Sequence, residues 1–136
     1  PSSEAIANAT QDIDDAIALA AEIVPIDRAK TVVGLAGSVT TVAAMALGLE
    51  KYDRDAIHAS VISREAVHTV SQRFLGMTRA VRAELPYMHP GRVDVIAAGA
   101  LVLDRIMQHV PNETVFISEH DILDGIAIKL AASSSE

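Results

Sequence analysis

TVVGLAGSVTTVAAMALG, residues 31–48, is the stretch around which the rest of the chain is ordered. Thr31–Ala36 is a short β-branched run among glycines, the composition of a buried strand. Ser38–Leu47 is alanine-rich helix material, and Gly48 suits a C-terminal cap. Strand, small-residue loop and helix follow one another without a break. Gly37 lets backbone approach a ligand with no Cβ in the way. The first amides of the helix lack internal partners, and a phosphate oxygen is their natural guest. Ser38, Thr40 and Thr41 add hydroxyl groups. No lysine follows the glycine, so this is not a Walker A loop, and the spacing is not GxGxxG. A tight turn with a serine cap accounts for the same residues, and both readings stay open at this point.

Outward from that stretch, the spacing predicts a helix over 3–24, capped by Ser3 and stopped by Pro25, with Ile6, Ile13, Ile17 and Ile23 recurring at helical intervals. Residues 49–56 read as polar turn and Ile57–Ile62 as a short strand. Ser63 caps a helix over 64–75, Gly76 ends it, and Thr78 caps a short helix to Leu85. Pro86 and Pro90 bracket a loop. Residues 92–109 are apolar on nearly every side, as expected of a central helix. Thr114–Ser118 reads as a second buried strand, 120–131 as a last helix and 133–136 as a flexible tail. Alternating strands and helices in 136 residues argue one α/β unit over 1–132.

Composition removes several classes of function. There is no cysteine, which excludes disulfides, thiolate nucleophiles and cysteine-ligated metals and fits a reducing, cytoplasmic setting. The net charge is −7 and aromatics are 3%, so a nucleic-acid surface with stacking rings is not expected. No apolar run approaches the roughly 20 residues needed to cross a bilayer, and no membrane partner is expected.

Within this acidic chain the basic residues cluster. Arg64, Arg73, Arg79, Arg82 and Arg92 face only Glu65 and Glu84 between residues 64 and 92, a local net charge of +3. Such a cluster suits a polyanion, and arginine suits forked contacts to phosphate oxygens. Arg79 and Arg82 share a helix face. A solvated surface is the plainer reading of any one of these arginines. His120 and Asp124, four apart, could face a metal together but show only one histidine and no third ligand nearby, and with Asp121 they read as helix-start capping rather than a metal site. No nucleophile with its base, and no acid–base pair, is legible from spacing.

Five segments, in order, resemble the Ppx/GppA phosphatase family. VVGLAGSVTTVAAMALGLEKYD is similar to its Gly-x-Gly-Gly-Thr loop, helix and Tyr-Asp. IHASVISREAV is similar to its Val-His-Gly strand and following helix. ELPYMHPGRVDVIAAGALVLDRIM resembles its Leu-Pro, Arg-x-Asp-x-Ile and Gly-x-x-Ile-Leu pattern. FISEHDILDGIA resembles its closing strand and helix, and PSSEAIANA the segment before its long helix. The resemblance is to the short actinobacterial exopolyphosphatases. Ala36 stands where the family usually has the first of two glycines, and Ser38 where threonine is usual.

The resemblance implies an actin-like fold of two ribonuclease-H-like lobes, this chain being the C-terminal part of the second. It implies an enzyme removing terminal phosphate from inorganic polyphosphate or guanosine pentaphosphate, with magnesium and a water activated by a first-lobe carboxylate. The family's two acidic, glycine-rich loops and its catalytic glutamate do not occur in these residues. The chain alone is therefore expected to be inactive, holding no catalytic or metal-ligating residue, with Gly37, Ser38, Arg64, Arg79, Arg82 and Arg92 as candidate substrate contacts. Magnesium would be held mainly by the parent's other parts. An association module, including a homodimer, and a kinase or nucleotide-binding chaperone on the same fold are the other readings.

Overall fold

A computed structural model of the chain describes residues 1–133. It contains α1 (Ser3–Ala21), β1 (Val33–Leu35), α2 (Ala36–Ala46), α3 (Arg54–Ile57), β2 (Val61–Ser63), α4 (Arg64–Gly76), α5 (Arg79–Ala83), α6 (Ile96–His109), β3 (Thr114–Ser118) and α7 (Ile122–Ser133). Single 3-10 turns occur at Ile26–Arg28 and Pro90–Arg92.

The strands form one sheet in the order β1-β3-β2. β1 runs parallel to β3, pairing Val33 with Phe116 and Leu35 with Ser118. β2 runs antiparallel to β3, pairing Val61 with Phe116 and Ser63 with Thr114. Side chains alternate across the sheet. Gly34, Ile62, Val115 and Ile117 face the core, whereas Val33, Val61 and Phe116 form an exposed apolar row on the other face. Helices α2, α4 and α6 pack against one another on the buried side, and α1 packs on α6. The core is mainly aliphatic, with Val42, Ile57, Val67, Ile96 and Met107 buried, and Phe74 and Tyr87 add rings to it.

Local chemistry explains most element ends. Ser63 Oγ accepts from the Ala66 amide at 3.1 Å and Thr78 Oγ1 from the Val81 amide at 3.3 Å. Each hydroxyl satisfies one of the free amides at its helix start. At the first helix the cap is Ser2 rather than Ser3.

Several expectations are corrected. The turn expected over 49–56 ends in helix α3, because Asp53 Oδ1 accepts from the amides of Asp55 and Ala56. The strand expected at 57–62 is Val61–Ser63; Ile57 closes α3 and is fully buried there. The central helix starts at Ile96 rather than residue 92, because Pro90 initiates a separate 3-10 turn. Ser133, expected in the tail, is the last helical residue and its hydroxyl donates to Lys129 O; residues 134–136 of that tail lie outside the described residues. No helix among the described residues is long and apolar enough to cross a membrane.

Candidate anion-facing cleft

The carboxyl ends of β1 and β3 lie side by side, the usual place for ligands in α/β sheets. Between Leu35 and α2 there is no loop: Leu35 occupies the cap position without a side-chain bond, and Ala36 is the first helical residue. Ala36 has φ +69°, a left-handed conformation that an alanine adopts at a cost of about 1–2 kcal/mol. This is the position where the resembled family carries glycine.

Gly37 follows, and its lack of a side chain has a visible purpose. A Cβ there would collide with the Arg92 guanidinium, which lies directly over it. Arg92 comes from the 3-10 turn opened by Pro90, and its Nη1 donates to Thr41 Oγ1 at 3.1 Å. The buried Thr41 hydroxyl in turn donates to Gly37 O at 2.7 Å. The start of α2 is thereby tied to the segment before α6.

A second set of groups meets the first. The Tyr52 hydroxyl donates to Glu119 Oε1 at 2.6 Å and shares a 2.8 Å hydrogen bond with the Thr40 hydroxyl. Arg54 Nε donates to Glu119 Oε2 at 3.1 Å. Glu119 directly follows β3 and its side chain is only 10% exposed, so its charge is answered on both oxygens. Burial pushes the Tyr52 phenol up from its ordinary value, and the Glu119 hydrogen bond adds to that. Tyr52, Arg54, His89, Arg92 and Glu119, with the wall from Pro86 to Met88, surround an open cleft of about 520 Å³. Its floor is partly apolar. Its charged groups are two guanidiniums and one carboxylate, with an imidazole at the rim.

The other residues singled out in the sequence lie elsewhere. The Ser38 side chain turns toward α6, where a Cβ on Gly99 would come within 2.5 Å of Ser38 Oγ. Arg64 sits at the opposite end of the sheet. Its Nη2 donates to the carbonyls of Val110 and Asn112 at 2.9 and 2.8 Å, with Glu113 at 3.4 Å. Arg79 is exposed and makes a forked pair with Asp94 at 2.7 and 3.3 Å, which raises the guanidinium and lowers the carboxyl. Arg82 donates to Phe74 O at 3.4 Å and is half-buried. Of the six, only Arg92 lines the cleft, with Gly37 packed against its guanidinium.

Sequence reading missed Tyr52, Arg54, His89 and Glu119. One signal was present: Glu119 is the first residue past a strand that runs parallel to β1. His120 and Asp124 pair at 3.4 Å, and Asp124 also accepts from the Asp121 amide, the capping arrangement expected there.

Comparison with known proteins agrees with this architecture. The family model of the Ppx/GppA phosphatase family matches residues 1–133. The chain is 41% identical over 135 residues to exopolyphosphatase 2 of Mycobacterium tuberculosis, a match covering 96% of this chain and 42% of that protein. It spans well under half the length of that relative. The crystal structure of an exopolyphosphatase-like protein superposes with a TM-score of 0.90 at 34% identity, over 98% of this chain and 44% of that one. The Ppx/GppA family member of Aquifex aeolicus superposes with a TM-score of 0.87 over 100% of this chain and 43% of that one, sharing the fold at 17% identity. The α/β class and the actin-like lobe expected from the resemblance therefore stand, and the chain belongs to the Ppx/GppA phosphatase family.

Proposed function

We infer that the chain forms one wall of the substrate cleft of an exopolyphosphatase, a hydrolase that releases terminal phosphate from inorganic polyphosphate. The observation that carries this reading is the cleft at the carboxyl ends of β1 and β3, lined by Arg92, which lies over the start of α2, and by Arg54, which pairs with Glu119 just past β3. Membership of a phosphatase family and the likeness to a protein named exopolyphosphatase supply the reaction class. Arg92 and Arg54, with His89, meet the phosphate oxygens; Gly37 keeps the space that lets Arg92 lie there. Arg79 and Arg82 contribute general positive potential, and Ser38 and Arg64 hold the wall in shape. Guanosine pentaphosphate is the alternative substrate, and the setting is cytoplasmic.

Phosphoryl transfer depends on positioning and charge neutralisation from all sides. This chain supplies one side, so it does not turn over substrate alone. Magnesium, which the family implies, does not fit here. Among the described residues no group of three or more His, Asp or Glu could hold a metal, and Glu119 is committed to Tyr52 and Arg54. No step is derived through it. Incubating the chain with polyphosphate and magnesium and measuring phosphate release tests the reading, with no release expected above buffer. Robust release would refute it.

A second reading, a non-catalytic association module, is favoured by the exposed row Val33, Phe116 and Val61 and by α7, none of whose residues is buried. A homodimer through these surfaces would show in light scattering; a monomer would count against it.

A further inference from the structure

We propose that Glu119 and Tyr52 are positioning residues that together aim the Arg92 guanidinium into the cleft, although a carboxylate beside an anion site opposes binding by its charge alone. The consequence for anion binding rests on the exopolyphosphatase reading; the ordering of Arg92 does not.

The direction of each proton follows from what each group can do. The Glu119 carboxylate only accepts. Its Oε1 takes the Tyr52 proton at 2.6 Å and its Oε2 the Arg54 Nε proton at 3.1 Å. The phenol has one proton, so the 2.8 Å bond between Tyr52 and Thr40 runs from the Thr40 hydroxyl to the Tyr52 oxygen. Gly37 O, the other acceptor near Thr40, is 3.4 Å away and already takes the Thr41 proton at 2.7 Å. The Tyr52 oxygen therefore keeps only lone pairs for its neighbours, and the Arg92 guanidinium, which has only donors, lies against it. Thr41 Oγ1 has likewise given up its proton and accepts from Arg92 Nη1 at 3.1 Å. Arg92 is held between two hydroxyl oxygens, one on α2 and one just before α3. Glu119 sets the polarity at the second. It is itself fixed, since it directly follows β3, its amide donates to His58 Nδ1 at 3.3 Å and its side chain is 10% exposed.

Charge alone gives the opposite sign. Neutralising a carboxylate beside two guanidiniums strengthens anion binding by Coulomb attraction. Glu119→Gln removes that charge, but its amide nitrogen then faces either the Tyr52 hydroxyl or the Arg54 nitrogen, both of which are donating. The Tyr52 proton loses its fixed acceptor and turns toward Thr40 and Arg92. Arg92 then meets a donor where it had an acceptor.

The test uses the whole chain with isotope-labelled arginine and two variants, Tyr52→Phe and Glu119→Gln. Without any phosphate, Arg92 should show its own Nε–H signal and slowed rotation of its guanidinium. That rotation should quicken in both variants. The Arg54 signal should move in Glu119→Gln and stay near its place in Tyr52→Phe, where Glu119 still holds it; the Arg64 signal should move in neither. With inorganic tripolyphosphate, Tyr52→Phe should bind about two- to tenfold more weakly, the worth of one hydrogen bond. Glu119→Gln should also bind more weakly, against its gain in positive charge. Should Glu119→Gln lose the circular dichroism spectrum of the unaltered chain, Tyr52→Phe, which keeps the ring, decides. Arg92 rotation unchanged in Tyr52→Phe, or tighter tripolyphosphate binding by Glu119→Gln, would overturn the proposal. If the unaltered chain binds no tripolyphosphate, the exopolyphosphatase reading fails, and the arginine spectra alone decide whether Tyr52 and Glu119 position Arg92.

Discussion

At the amino end of β3, Arg64 lies three-quarters buried with two backbone carbonyls on one nitrogen. At the carboxyl end, Arg92 lies over Gly37, bonded to the Thr41 hydroxyl and open to a cleft. The two arginines fall within the same basic stretch of sequence, yet their partners give them different work. Arg64 joins α4 to the turn between α6 and β3, so its charge serves the fold. Arg92 bonds to the Thr41 hydroxyl, lies against Gly37 and Tyr52 and has room beyond them, so its charge remains available. Exposure, partners and the space beyond the side chain separate these roles; residue type does not.

The largest effect should separate the two ends directly. Arg64→Met leaves two carbonyls without their donor, and urea denaturation should show a loss of about 2–3 kcal/mol. Arg92→Met should lose under about 1 kcal/mol, since the bond to the Thr41 hydroxyl is broken at an open site. Equal losses would erase the comparison.

Glycines sharpen it next. Gly99→Ala brings a methyl against Ser38 Cβ at 2.8 Å, on a helix that cannot swing aside. A destabilisation of about 1–3 kcal/mol is expected from such overpacking. Gly37→Ala meets only the free end of Arg92, which can move away, so stability should change by less than about 1 kcal/mol while anion affinity falls. Thermal melts of the two variants check the order.

Ala36→Gly tests the strain at the start of α2. Relief of the left-handed alanine should raise stability by up to about 1 kcal/mol, partly offset by the freedom glycine gains when unfolded. A loss would show that the methyl makes a contact worth more than the strain.

The smallest effect is a pH dependence. Arg105 first, then His109, hold the Asp14 carboxyl below the ordinary value of 3.8. A lowered carboxylate pKa stabilises the fold above the unfolded value, and that contribution is lost as pH falls through the folded value. Melting temperatures should therefore fall below about pH 4, and Asp14→Asn should show a shallower fall over that range.

Much of the fold was legible because it rests on local rules. Ser63 and Thr78 are capping residues wherever they precede a helix, and Gly37 stands out in any strand-to-helix passage. β2 was misplaced because Ile57 and Ile62 are both buried apolar residues, one closing a helix and the other in a strand. Composition does not separate those environments over six residues. The cleft was half legible. Gly37 and Arg92 were readable as types suited to anions. Tyr52, Arg54 and Glu119 were not, since Tyr52 and Glu119 are 67 residues apart and meet only through the fold. Arg64 looked like a ligand-facing arginine because its partners are backbone carbonyls, which carry no signature in sequence.

The most direct test of the central claim is an amide chemical-shift titration of the chain with inorganic tripolyphosphate. The account predicts saturable shifts at Gly37, Arg54, His89 and Arg92, weakened by Arg92→Met, with Arg64 and the turn at Asn112 unmoved. Shifts centred on Arg64 or Arg79, or none that saturate, would contradict it.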